Sequence, residues 1–256
     1  VSRGKRVGMA VGVLAGVALL ACGGAFVWLN EPQPVGVTDD AADALATAMM
    51  QSVDADAWDR TGAITWTFAE RNTHTWDRER HFVRVRQGEL VVHVDLNQLQ
   101  GIASQDGVAL EGGARDDAVQ AAYAAWANDS FWLNAHNKAF DPGTTRARVS
   151  QPDGSESLLI SYASGGVTPG DAYLWHLDES GRPTSWQMWV SIIPIGGASA
   201  TWDEWVQVST GAWVSTRHQM GPMDVRITNL EAAETLAELE PGPDPFGPML
   251  DAIDPM

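Results

Sequence analysis

From Thr61 onward, large apolar residues return at every second position in one short run after another, and this period of two most limits what the chain can become. Ile64, Trp66 and Phe68 alternate with Thr65, Thr67 and Ala69, the pattern of a strand with one buried face. Residues 81–96 repeat it in two arms. Val83 and Val85 stand against Arg84 and Arg86, a turn falls near Gln87-Gly88, and Leu90, Val92, Val94 and Leu96 follow. That is a hairpin whose arginines face water. Further strands are expected at 158–162, 173–177, 186–190, 202–208, 213–217 and 223–229, separated by turn signals of which ESGRP at 179–183 is the clearest. Consecutive strands joined by short links make an antiparallel meander. Nothing repeats at intervals of about 20 to 50 residues, which argues against propellers and solenoids.

Two segments break this period. Residues 38–53 place Ala42, Leu45, Met49, Met50 and Val53 at three- and four-residue spacing behind Thr38, a candidate N-cap, and Asp39 and Asp40, which suit the positive end of a helix. Residues 116–128 carry a stripe of Val119, Ala122, Tyr123 and Trp126. Asn128, Asp129 and Ser130 are poor helix formers, so the second helix is expected to end there. The following Phe131 and Trp132 then sit on a connector that runs to a turn at Asp141-Pro142-Gly143. There they either complete the core or cover an apolar cavity. The fold class is therefore mainly β (α+β), a long antiparallel meander with helices beside it.

The N-terminus directs all of this out of the cytoplasm. Arg3, Lys5 and Arg6 precede an uncharged apolar run at 7–29, and at about 1.5 Å rise per residue such a helix crosses a bilayer core. Cations before the run orient residue 30 onward to the outside. Residues 1–30 read as a signal anchor that stays in the membrane. They also read as a lipoprotein signal, since LLAC at 19–22 makes Cys22 a lipid-attachment site, or as an ordinary cleaved signal. Residues 31–37, EPQPVG and Val37, read as a stiff spacer. The main domain is expected over 38–230, and 231–256 as an acidic, proline-rich, solvated tail behind a short helix. Cys22 is the one cysteine, which removes disulfides and thiolate metal sites. A net charge of -17 repels phosphate backbones, so nucleic acid is not an expected partner.

Recognisable chemistry is sparse. No G-x-S-x-G, H-E-x-x-H, Walker loop or dinucleotide-binding G-x-G-x-x-G is found. HTWDRERH at 74–81 gathers His74, Asp77, Glu79 and His81. In an extended chain His74 points away from the other three, which makes this a polar hairpin face rather than a metal site. His136 and His218 stand singly. The expectation is a protein without catalytic residues, metal or cofactor, although with 33 Asp and Glu an unrecognised carboxylate pair stays open.

The order of elements, an exported amphipathic helix followed by a long meander with a helix inserted partway, resembles the LolA/LolB-like lipoprotein-carrier superfamily of bacterial envelopes. NDSFWL at 128–133 and GVTPGD at 166–171, ahead of Tyr173 and Trp175, resemble a narrower group of envelope proteins within or near it. The resemblance covers about residues 38–230. It implies a single curved antiparallel sheet of about ten strands, forming an incomplete β-barrel whose helices close an apolar cavity, LolA-like in architecture. It also implies a location in the cell envelope, on the periplasmic side of a membrane, and a hydrophobic ligand or acylated protein as partner. Trp66, Phe68, Phe131, Trp132, Trp175 and Trp186, on strand faces or the connector, are then the candidate ligand-binding residues. Trp189, Trp205 and Trp213 belong at its wet rim. The rival reading is a non-catalytic structural or interaction module with a filled interior that meets an envelope protein partner.

Overall fold

The computed structural model describes residues 30–163 and 170–253. The N-terminal apolar run with Cys22, and GVTPGD up to residue 169, lie outside the described residues. Among the described residues the chain is mainly β, with fourteen strands in two antiparallel sheets and a few helices. A curved sheet of nine strands stays open instead of closing into a barrel, and a second sheet of five strands stands beside it. The single sheet of about ten strands is thus corrected to two.

Helix α1 (Asp40–Ser52) is capped by Asp39, whose side chain accepts from the Ala42 amide at 3.1 Å. Asp39, not Thr38, is therefore the N-cap. Ala42, Ala46 and Met49 form its buried face. A short helix α2 (Ala55–Arg60) leads into β1 (Ala63–Phe68), and a meander follows: β2 (Asn72–Asp77), β3 (Phe82–Gln87), β4 (Leu90–Asp95), β5 (Gln100–Gln105) and β6 (Val108–Ala109). After helix α3 (Gly112–Asn134) and a 3-10 turn at Ala135–Asn137, the second sheet is built from β7 (Thr144–Ser150), β8 (Glu156–Tyr162), β9 (Ala172–Leu177), β10 (Pro183–Trp189) and β11 (Ala198–Thr201). The chain then returns to the first sheet with β12 (Asp203–Gln207), β13 (Trp213–Met220) and β14 (Met223–Ala233), the last pairing with β1. Trp202 lies where the chain changes sheets, its indole buried in the aromatic core of the second. Hydrogen bonds from His218 Nδ1 and the Gln219 amide to Thr201 tie the two edges together at 2.9 Å each. The meander bends there because a large ring is drawn inward while the backbone bonds on either side belong to different sheets.

Register explains the core of the larger sheet. Ile64 opposes Trp76, Trp66 opposes His74, Val83 opposes Val94, and Val92 opposes both Val85 and Ala103. One concave face therefore collects Trp66, His74, Trp76 and the valines, all buried. The first half of α3 covers that face with Val119, Ala122 and Trp126, and Trp126 meets Trp76 edge-on at 5.2 Å. The polar hairpin face read from 74–81 is corrected for His74, which lies fully within this core.

The helix does not stop at Asn128. It continues through Asp129, Ser130, Phe131 and Trp132 to Asn134. Low intrinsic propensity is outweighed by local bonding, because Asp129 reaches into the concave sheet and accepts from His74 Nε2 at 2.8 Å and Asn72 Nδ2 at 2.7 Å. Tertiary partners satisfy the polar group that would otherwise compete with the helix backbone. Phe131 and Trp132 are consequently fixed on a helix, not on a connector, and project from its last turns into the space facing the second sheet.

Both ends of the described chain are tied to the fold, the first by hydrogen bonds and the second by packing. Residues 30–37 lie along the outside of the second sheet: the Glu31 amide bonds Gly196, Trp189 Nε1 donates to the Glu31 carbonyl at 2.8 Å, and Val37 bridges Arg148. The spacer reading is therefore corrected for these residues. At the other end, α4 (Leu236–Leu239) and α5 (Gly247–Ile253) bring Phe246 and Met249 against Phe82 and Ile102 on the convex face of the nine-stranded sheet. Phe246 is 0% exposed. Arg84, expected in water, pairs with Glu240, and Arg80 pairs with Asp244 at 2.6 Å. The acidic tail is thus a covering layer whose charges answer the hairpin arginines. Among the described residues the apolar clusters are formed between Leu45 and Ile253, so a chain starting at Asn30 retains all of them.

Candidate functional site: an aromatic cleft between the sheets

The C-terminal turns of α3 stand between the two sheets, and the rings there decide how much room is left. Phe131 lies 4.9 Å from Tyr173 and 5.9 Å, stacked, from Trp186; Tyr162 meets it edge-on at 5.5 Å. Trp132 packs at 5.0 Å on Trp186, 5.2 Å on His218 and 6.4 Å on Phe68. Below them the interior of the second sheet is filled, with Trp175, Trp186 and Trp202 mutually in contact at 4.9 to 5.0 Å. Such offset and edge-to-face rings form well-ordered contacts. The two sheets therefore do not enclose a continuous hollow.

Above this layer a partly open cleft of about 680 Å³ remains, within the range typical of small-ligand sites. Its floor is aromatic, with Phe68, Phe131, Trp132 and Trp186; Met188, Val190 and Ile193 supply its aliphatic wall. Ile192, on the loop after β10, stands at its margin with 66% of its surface exposed. Four of the six residues singled out from sequence are thus brought together. Trp66 and Trp175 are not: both are 0% exposed and belong to the packed interiors. Trp189, Trp205 and Trp213 are half-buried and outside the lining.

Sequence reasoning missed the polar end of the cleft. Lys138, Asp141, Tyr162 and Asp171 line it beside Tyr173. Lys138 Nζ is 3.0 Å from Asp141 Oδ2, and the Ser191 amide donates to Asp171 Oδ1 at 3.1 Å. Burial, with Tyr173 and the Asp141 carboxylate adding to it, holds the Tyr162 phenol well above its ordinary range. Burial and Asp171 raise Tyr173 as well. Both rings therefore present neutral hydroxyl groups. The Tyr162 hydroxyl is buried and has no hydrogen-bond partner among the described residues. The signal that could have found this end was the pair of tyrosines on the inner faces of two neighbouring strands.

Behind the floor, His218 is pushed down to about 4 and His136 to about 3, both chiefly by burial, so these imidazoles are neutral packing groups. No group of three or more His, Cys, Asp or Glu among the described residues is placed to hold a metal. A second hollow of about 530 Å³, lined by Trp58, Arg78, Asn134 and Asn137, is mostly polar. Arg78 stacks over Trp58 at 4.3 Å and donates to the carbonyls of Trp58 and Thr61, which accounts for it as a brace between α2 and β2.

The fold and site together define an open, incomplete β-barrel with an aromatic cleft at the end of its covering helix. No protein-family model matches the sequence, and no curated protein matches it. Among solved structures it is similar to a DUF1329 family protein from Desulfovibrio piger, with 10% identity, a TM-score of 0.38, and coverage of 78% of this chain and 97% of that one. Among the described residues no helix is long and apolar enough to cross a membrane.

Proposed function

We propose that the protein is a membrane-tethered, extracytoplasmic binder of a lipid, an acylated protein or another alkyl-bearing ligand, held without chemistry in the cleft between α3 and the second sheet. The observation that carries this reading is the cleft itself: about 680 Å³ walled by Phe68, Phe131, Trp132, Trp186, Met188 and Ile193, and open on one side. Burial of alkyl surface supplies the free energy at about 0.8 kcal/mol per CH2. A dozen carbons reach useful affinity even after the ligand's conformational freedom is lost. The resemblance to the LolA/LolB-like carriers, and the tethering implied by the N-terminal sequence, support the same reading. A tethered receptor fits that sequence better than a freely diffusing carrier.

Native mass spectrometry of the chain from Asn30 to its end, with a fluorescence titration by a long-chain lipid, tests the proposal. Retained lipid mass and a saturable change in tryptophan emission are expected. Protein free of lipid and indifferent to added alkyl chains would refute it.

One observation favours a second reading, a non-catalytic structural or interaction module of the envelope. Trp66, Trp175, Trp186 and Trp202 fill the interiors from within. On that reading Glu240 and Asp244, already paired with Arg84 and Arg80, contribute less to a partner surface than the half-buried rim tryptophans do.

A further inference from the structure

The loop between β10 and β11, residues 190–197, reads VSIIPIGG and carries no charge in a chain whose net charge is -17. Ile193 lines the cleft, Ile192 stands at its mouth with 66% of its surface exposed, and Pro194 is exposed beside it. The β13–β14 turn adds a second apolar lip. There Met223, 51% exposed, falls between Met220 and Val225 of the cleft lining. Exposed apolar side chains gathered around the opening of a ligand cleft mark a surface that meets something else.

The course of the N-terminal segment points to what that is. The Glu31 amide donates to the Gly196 carbonyl at 3.0 Å, the Gly196 amide to Asn30 Oδ1 at 2.8 Å, and Trp189 Nε1 to the Glu31 carbonyl at 2.8 Å. Gln187 Nε2 holds the Glu31 carboxylate at 3.1 Å. Asn30 is thereby pinned to the loop that carries Ile192, and in the sequence the uncharged apolar run at 7–29 ends directly before it. Gly196 and Ile192 are four residues apart, which bounds their separation at roughly 14 Å. That is shorter than a bilayer is thick. A membrane reached by the apolar run therefore lies beside the cleft mouth, at an effective concentration no free protein partner matches.

Resting on the tethered reading, we propose that the mouth of the cleft is a membrane-docking surface. The 190–197 loop and Met223 lie in the interfacial layer of the bilayer that anchors the chain, and an alkyl chain passes between membrane and cleft without crossing water. The test uses the full chain in phosphatidylcholine vesicles, recovered by flotation, with Ile192, Met223 or Val108 replaced in turn by photoreactive benzoylphenylalanine. Val108, 69% exposed on the edge strand β6, is the control. Lipid adducts at 192 and 223 are expected to exceed those at 108 at least tenfold. Met223 does not line the cleft, so its adducts report the bilayer and not a ligand held inside. Met223→Asp should lower the adduct at 192 several-fold. Adducts at 192 and 223 no more abundant than at 108, in a chain that floats, overturn the docking surface and leave tether and alkyl binding standing. Adducts at 192 alone assign the label to lipid within the cleft and overturn it equally. A chain that does not float with the vesicles overturns tether and docking together.

Discussion

Replacing Asp129 by alanine removes the acceptor on which the middle of α3 depends. If Asp129 were only a poor helix former, the substitution would stabilise the helix by roughly 0.5 kcal/mol. The structure predicts the opposite sign. His74 Nε2, in a side chain 0% exposed, loses its 2.8 Å partner, and a buried donor left unpaired costs about 1–3 kcal/mol. Asn72 loses its 2.7 Å bond as well but is half-buried and partly rehydrates, so it adds no more than about 1 kcal/mol. The net loss is about 2–3 kcal/mol, which in a chain of this size lowers Tm by roughly 4–12 °C. Thermal unfolding followed by circular dichroism measures it, with Asn128→Ala as a control expected to stay within about 1 kcal/mol. An unchanged or raised Tm for Asp129→Ala would refute the claim that buried bonding carries the helix past 128–130.

Packing and burial set three further expectations. Phe246→Ala empties a fully buried position against Phe82, 5.6 Å away, and should cost about 3 kcal/mol or more; limited proteolysis should then cut within 241–253, which stays protected in the parent chain. Gly62→Ala would put a methyl group 1.9 Å from the Glu234 carbonyl oxygen and should destabilise by about 1–3 kcal/mol, read as a lower urea midpoint. Acid should weaken the fold through His218 and His136, whose imidazoles lie near 4 and 3 when folded, against an ordinary value of 6.5. The unfolded chain takes up protons first, so stability is full above about pH 6.5 and falls as pH drops toward 4. It costs about 3 kcal/mol for His218 alone. His218→Phe should flatten that slope in pH-dependent denaturation, and an unaltered slope would count against the burial argument.

Most of the strands were legible because alternation is a local signal: 61–68, both arms of the 81–96 hairpin and the six later runs all lie within strands or overlap them. Division of the meander into two sheets was not legible, since it depends on where Trp202 is drawn in and on bonds between Thr201 and residues 218 and 219. The helix end was misplaced for the same kind of reason. Asp129 is a helix breaker when read alone and a helix support once His74, distant in sequence, is opposite it. Phe131 and Trp132 line the cleft, whereas Trp66 and Trp175 share their chemistry and are sealed by neighbours, a distinction only packing can make. The tail misled because acids and prolines signal solvation, whereas Phe246 and Met249, two apolar residues in that stretch, were enough to anchor it once Arg80 and Arg84 stood nearby.

The most direct test of the central claim is photocrosslinking with a diazirine-bearing long-chain alcohol, followed by mass-spectrometric mapping of the adducts. The account predicts labels on the cleft lining, at Phe131, Trp132, Trp186 and Ile193, competed away by unlabelled alcohol. Labels scattered over exposed apolar residues such as Val35 and Val108, insensitive to competitor, would contradict it.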